Sequence, residues 1–217
     1  MGARPRRHTR RISYAAVVAG PYRTVNAEAR CEMVKIKGSR FIATAGPYRD
    51  EAALARVIAR LSDEFSDANH HCYAWRFGER FRYNDDGEPS GTAGRPMLQR
   101  IDGRGLDRTY VVVTRIFGGT KLGAGGLVRA YSAAAGAVLN AAHVVEVVPT
   151  SRIRVIVPYE LKGAVESVVA ARGVTPLDSV FAEVVTQTFA VPTDQLDDLV
   201  TALQERTAGR AGIHRLE

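Results

Sequence analysis

The chain is 217 residues long, 46% of its residues are hydrophobic, and its formal net charge at pH 7 is +7. This length allows one or two globular domains with a real core. No apolar run approaches the roughly 20 residues that a membrane-spanning helix needs. Two cysteines are too few for a disulfide framework, which favours a reducing compartment. We therefore predict a cytoplasmic protein without membrane contact.

The positive charge is concentrated near the N-terminus. Seven arginines and one acid precede Cys31, for a net charge of +6, whereas residues 31–142 contribute +4 and residues 143–217 contribute −3. Residues 1–26 are therefore predicted to form a basic, flexible arm. Any contact with nucleic acid is expected from the arm and from the middle of the chain, because the last third is acidic.

A first domain is predicted over residues 27–142, where strand and helix patterns alternate. Ala29–Ala45 is typical of strands but is interrupted by a glycine, which is consistent with a hairpin or with one bulged strand. Asp50–Phe65 has its apolar residues at helical spacing, and Asp50 is suited to cap the N-terminus of that helix. His70–Phe77 alternates as a strand.

Residues 83–96 contain three glycines and two prolines, so they are predicted to form a long loop before one helical turn at Met97–Ile101. Long loops in compact domains are usually functional or disordered. This loop carries three acids, Asp85, Asp86 and Glu88, which could ligate Mg²⁺ or act in acid–base chemistry. No second acidic cluster supports a metal, and a salt bridge to a basic segment is the alternative. We predict no metal, no cofactor and no catalytic residue.

A strand, a glycine-rich turn and a helix follow one another in the middle of the chain. The β-branched run Val111–Val113 is typical of a buried strand, and apolar residues recur at helical spacing from Leu127 onward. Five glycines in nine residues must end the strand, and they are Gly118, Gly119, Gly123, Gly125 and Gly126. The segment matches neither the Walker A pattern nor G-x-G-x-x-G, so it is not a known nucleotide-binding loop.

Such a turn presents free backbone N–H groups at the start of a helix, where the helix dipole favours an anion. We predict that the five glycines bind an anion, phosphate in particular, together with four basic side chains: Arg95, Arg115, Lys121 and Arg129. The alternative is a tight structural turn that is flanked by solvated basic residues.

A second domain is predicted over residues 148–217. Its elements are a strand at Arg152–Val157, a helix at Leu161–Ala171, a short strand at Val174–Leu177, a strand at Val180–Val191, a helix that starts at Pro192, and a strand at Ala211–Leu216. The order is βαββαβ, which is the ferredoxin-like arrangement.

Several motifs resemble the YigZ/IMPACT family. The two long ones are Asn84–Pro96 and the glycine turn with its flanks, Val111–Gly119 and Lys121–Tyr131, and shorter matches lie at Lys37–Ile42 and His70–Cys72. The remainder resembles the C-terminal domain of the bacterial members, which is similar to domain V of elongation factor G. The resemblance implies an α+β protein with a first domain like ribosomal protein S5 domain 2 and a ferredoxin-like second domain. Ile116 departs from the family pattern, in which an aromatic residue is usual, and so does Asn84, where serine is common.

The resemblance also implies a role in translation. Eukaryotic IMPACT relatives act in translation control by interfering with activation of a starvation-sensing kinase pathway, and they use an additional RWD domain. The leading hypothesis is a non-enzymatic module that regulates translation by binding RNA or the ribosome, with Tyr83 and Phe117 stacking on bases. One alternative is a phosphate-ligand-binding protein or Mg-dependent enzyme that uses Asp85 or Asp86. The other is an adaptor for a protein partner in the translation machinery.

Overall fold

The computed structural model describes residues 20–216, so most of the predicted basic arm lies outside the described residues. The end of that arm differs from the prediction, because Tyr22–Val25 forms strand β1. This strand pairs antiparallel with β7 (Val144–Val147), as a two-stranded ribbon. Val25 is fully buried in the core of the first domain, and this burial holds the ribbon in place.

The first domain contains five further strands and three helices. In chain order they are β2 (Ala29–Glu32), β3 (Arg40–Pro47), α1 (Glu51–Glu64), β4 (His70–Phe77), β5 (Arg80–Asn84), α2 (Gly94–Asp102), β6 (Thr109–Ile116) and α3 (Ala124–Ala141). The strands form an antiparallel sheet in the order β2-β3-β6-β4-β5. The Ala29–Ala45 segment is therefore a hairpin, and Asp50 caps α1 through its bond from the Ala53 amide.

Helices cover both faces of this sheet. Helix α1 packs Leu54 and Leu61 against Trp75 on one face, while α2 and α3 pack Met97 and Tyr131 against the other. The central strand β6 is consequently buried on both sides along almost its whole length. This explains its continuous apolar run, which lacks the alternation of a half-exposed strand.

A strand and a helix occupy the two ends of the segment that was predicted as a loop, residues 83–96. Strand β5 occupies its start, and α2 begins at Gly94 rather than Met97, so the loop itself is reduced to residues 85–93. A Cβ at Gly94 would lie 2.9 Å from the Asn84 backbone nitrogen, so glycine allows α2 to approach β5 closely. Pro96 is tolerated because it lies in the first turn of the helix.

The second domain has the predicted βαββαβ order. Its elements are β8 (Thr150–Val157), α4 (Lys162–Ala170), β9 (Pro176–Phe181), β10 (Val185–Pro192), α5 (Leu196–Arg206) and β11 (Gly212–Leu216). The sheet order is β11-β8-β10-β9, with every pair antiparallel. Phe181, predicted within the third strand, instead ends β9, and residues 182–184 turn the chain into β10. No helix within residues 20–216 is long and apolar enough to cross a membrane.

Candidate functional site

The glycine turn connects the end of β6 to the start of α3 and has two different kinds of glycine. Gly119 and Gly123 have φ values of +85° and +74°, a backbone conformation that side chains disfavour, and they face open space. Gly118 is instead a packing residue, because a Cβ there would lie 1.9 Å from the carbonyl carbon of Gly38. The turn is therefore held against the β2–β3 hairpin by direct contact between two backbones.

The backbone amides of residues 119–126 have no acceptor among residues 20–216. The first hydrogen bond of α3 runs from the Leu127 amide to the Gly123 carbonyl, at 2.9 Å, and no side chain caps the helix. Gly118 differs from the other predicted glycines, because its amide already donates to Ser39 Oγ at 3.1 Å. Gly123, Gly125 and Gly126 therefore present their amides at the positive end of an 18-residue helix, and Gly119 lies earlier in the turn.

The four predicted basic residues occupy different environments. Lys121 and Arg129 are exposed, and Arg129 Nη1 lies 3.6 Å from the position of a Cβ on Gly125, over the first turn of α3. Arg95 is exposed on the first turn of α2. Arg115 is buried, with 5% of its side chain exposed, and its Nη1 donates to Glu88 at 2.6 Å. Its charge is therefore compensated within the protein.

The acidic loop is occupied by internal bonds. The Asp85 carboxylate accepts from the amides of Gly91, Ala93 and Gly94 at 2.8–3.0 Å, and it thereby satisfies donors at the start of α2. Asp86 accepts from the His71 amide at 2.6 Å. No group of three or more His, Cys, Asp or Glu residues in the described part is arranged to hold a metal ion.

Glu88 makes the salt bridge that was the alternative to metal binding. It has only 3% of its side chain exposed, and it accepts from Arg115 Nη1 and from the Tyr131 hydroxyl, both at 2.6 Å. This bond joins the acidic loop to β6 and α3, so the loop and the glycine turn are neighbours. Burial raises the pKa of the Cys72 thiol, which lies 3.4 Å from the Tyr131 oxygen, to about 12, and such a thiol is a poor nucleophile at neutral pH.

A cavity of about 520 Å³ opens between the acidic loop and the start of α3. Most of its walls are apolar, and this part of the lining includes Pro89, Phe117, Leu122 and Leu127. Its polar members are Asn69, His70, Glu88, Arg115 and Lys121. The cavity was not predicted from the sequence, because the helical spacing of Leu127 indicates a core residue and Pro89 lies in a predicted loop. Arg95 and Arg129 do not line it.

The comparisons with known proteins agree with this architecture. A model of the Impact N-terminal domain matches residues 37–139, and a model described as a domain of unknown function (DUF1949) matches residues 155–210. A crystal structure of a hypothetical protein superposes with a TM-score of 0.63 and 27% identity, over 91% of this chain and 98% of that one. The molecule is thus a two-domain α+β protein with an Impact N-terminal domain.

Curated relatives identify the family. An IMPACT family member in the pol 5′ region of Thermus thermophilus is 38% identical over 177 residues, which are 81% of this chain and 97% of that protein. YvyE of Bacillus subtilis (strain 168) is 44% identical over 58% of each chain. YigZ of Escherichia coli (strain K12) is 42% identical over 45% of this chain and 50% of that protein. The chain belongs to the IMPACT family, and the predicted resemblance is confirmed.

Proposed function

We propose that this protein is a non-enzymatic RNA-binding protein that acts in translation, and that the start of α3 holds a backbone phosphate. The observation that carries the proposal is the run of amides at residues 119–126, in the turn and in the first helical turn of α3, that have no acceptor among residues 20–216. Such a terminus carries about half a positive elementary charge. Phosphate is the anion that this geometry commonly binds.

The side chains around the amides reinforce this preference. Glu88 and Arg115 neutralise each other, whereas Lys121 and Arg129, beside the start of α3, form no ion pair within the described part of the chain. Phe117, with 42% of its surface exposed, offers a ring next to the same turn. Cations for the phosphate and an exposed aromatic ring for a base are the combination that single-stranded nucleic acids favour. The family resemblance supports translation as the process.

The enzymatic alternative receives no comparable support. Asp85 and Asp86 would have to hold Mg²⁺, but their oxygens already accept bonds from four backbone amides. A metal at Asp85 would compete with the three bonds that this carboxylate accepts from Gly91, Ala93 and Gly94 at the start of α2. The acidic loop therefore serves as a structural connection beside the proposed phosphate site.

A salt titration of RNA binding tests the proposal. Lys121→Ala and Arg129→Ala should each weaken binding and reduce the slope of log K against log salt concentration by about 0.7, the value for one phosphate contact on a single strand. Arg115→Ala is unsuitable, because it would leave the buried Glu88 without its partner. Arg172→Ala is the matched control, since this exposed arginine lies in the second domain, just after α4, where its side chain donates to the Val168 carbonyl. Unchanged affinity and slope in both turn variants would refute the proposal.

A further inference from the structure

The cavity beside the free amides is larger and more apolar than a phosphate requires. Its volume of about 520 Å³ lies within the 300–1,000 Å³ range of small-molecule sites. Gly123 and Ala124 line it, and their amides are unpaired. An anion on these amides would therefore lie at the edge of the cavity, with space for a covalently attached group inside.

The walls suit a flat, largely apolar group. Pro89 comes from the acidic loop, whereas Leu122 and Leu127 come from the turn and from α3. The ring of Phe117 belongs to the same lining, and the Arg115 guanidinium lies 5.5 Å from its centroid. Aliphatic and aromatic surfaces of this kind bind ring systems by stacking, and stacking tolerates any base.

Two further polar side chains of the lining are His70 and Asn69. His70 Nδ1 lies 2.7 Å from the Asp86 carbonyl oxygen, which only accepts, and His70 Nε2 lies 3.8 Å from Glu88 Oε1. Asn69 Oδ1 accepts from the Phe117 amide at 2.8 Å, which leaves the Asn69 NH₂ group as a donor. The Asn69 amide can therefore donate to the edge of a base at one side of a mostly apolar cavity.

Arg115 and Glu88 also line the cavity, and they pair with each other there. Both side chains are at least 95% buried, and the Arg115 Nε, itself buried, has no hydrogen-bond partner among residues 20–216. Because the pair adds no net charge to the lining, Lys121 and the free amides are left to attract an anion.

We infer that this cavity accepts one unstacked nucleoside of a single-stranded RNA, whose phosphate lies on the free amides at the start of α3. The inference depends on the proposed function for the position of the phosphate. A base inside a duplex would first have to leave its stack, whereas a single strand presents its bases without that cost. The protein should therefore prefer single-stranded RNA to a duplex of the same length.

The test compares the full chain with two cavity variants by fluorescence anisotropy, using a single-stranded RNA and its blunt duplex. Phe117→Ala removes the exposed ring, and Ala124→Phe fills the cavity from an exposed position in the first helical turn. We expect both to weaken single-strand binding about tenfold without changing the salt slope, because the phosphate contacts remain. Phe81→Ala is the matched control, since Phe81 is 53% exposed on β5 outside the cavity, and it should bind as the unmodified chain does.

The outcomes separate this inference from the proposed function. One outcome is that RNA binding depends on Lys121, but single strand and duplex bind equally and both cavity variants bind normally. That outcome refutes the nucleoside site and leaves the phosphate site standing. If Ala124→Phe does not fold, the exposed Phe117→Ala variant decides. A nucleoside 5′-monophosphate should compete more strongly than inorganic phosphate. A free monophosphate that binds as tightly as the oligonucleotide would overturn the assignment to RNA, and absence of all RNA binding would refute both proposals.

Discussion

The buried pair Glu88–Arg115 should be the most sensitive point of the first domain. Both side chains are at least 95% buried, and Glu88 also accepts from Tyr131. Glu88→Gln keeps an oxygen for both donors but leaves the Arg115 charge uncompensated. Removing one member of a buried ion pair lowers the free energy of unfolding by about 3–5 kcal/mol. Because the glutamine amide still accepts hydrogen bonds, we expect a loss of about 3 kcal/mol for this variant. With a slope of about 1–3 kcal/mol per molar urea, the midpoint should fall by about 1–3 M.

Tryptophan fluorescence is the appropriate assay, because Trp75 is the single tryptophan of the chain and stacks on Tyr48 in the first domain. Its emission therefore follows the unfolding of that domain separately from the second. Arg82→Ala is the control on the same sheet, since its ion pair with Glu51 is exposed and should leave the midpoint unchanged.

A double variant completes the test of the pair. Arg115→Met combined with Glu88→Gln removes the uncompensated charge and keeps an acceptor for the Tyr131 hydroxyl. Replacing both members of a buried pair is often nearly neutral, so the double variant should be more stable than Glu88→Gln alone. A midpoint shift below about 0.3 M for Glu88→Gln, or a double variant that is less stable than the single one, would contradict the argument.

Two further predictions concern the turn and the buried thiol. Gly118→Ala should strongly lower the melting temperature, because its Cβ would overlap the Gly38 backbone. Gly163→Ala is the control: Gly163 lies in α4, a Cβ there would have nothing within 4 Å, and the melting temperature should stay the same or rise. Equal melting temperatures for the two variants would refute the role of the Gly118 contact. At pH 8 a thiol reagent should label the half-exposed Cys31 and not Cys72, because burial raises the pKa of the Cys72 thiol from 9.0 to about 12. Mass spectrometry can count the labelled thiols. Because the folded state favours the neutral Cys72 thiol, this group stabilises the fold fully below pH 9, and the stabilisation is lost as the pH rises towards 12. Rapid labelling of both thiols in the folded protein would contradict it.

Local patterns were sufficient for elements that bury one or both faces. The run Val111–Val113, the glycine break and the helical spacing after Leu127 correctly predicted β6, the turn and α3. Strand β5 was missed because all five of its residues are exposed, so it has no alternation to detect. Strand β1 was missed because its partner β7 lies about 120 residues further along the chain, and no local pattern indicates such pairing.

The position of the candidate site was predictable from the sequence, but the separate roles of its glycines and basic residues were not. Free amides at the start of α3 follow from the glycines themselves. The packing of Gly118 on Gly38 does not, because it requires two distant turns to meet. From residue type alone, Arg115 and Lys121 were both predicted to bind the anion, although Arg115 is buried in the structure and Lys121 is exposed.

The position of Arg115 within β6 offers a physical reason for that difference. A strand buried on both faces gives a charged side chain no route to solvent, so an arginine there must find an internal partner. The acidic loop supplies it through Glu88. The same bond fixes the loop beside the start of α3 and so forms one wall of the cavity through Pro89. The buried pair thus sets the shape of the proposed RNA site, whereas Lys121, Arg129 and the amides attract the negative charge of the ligand.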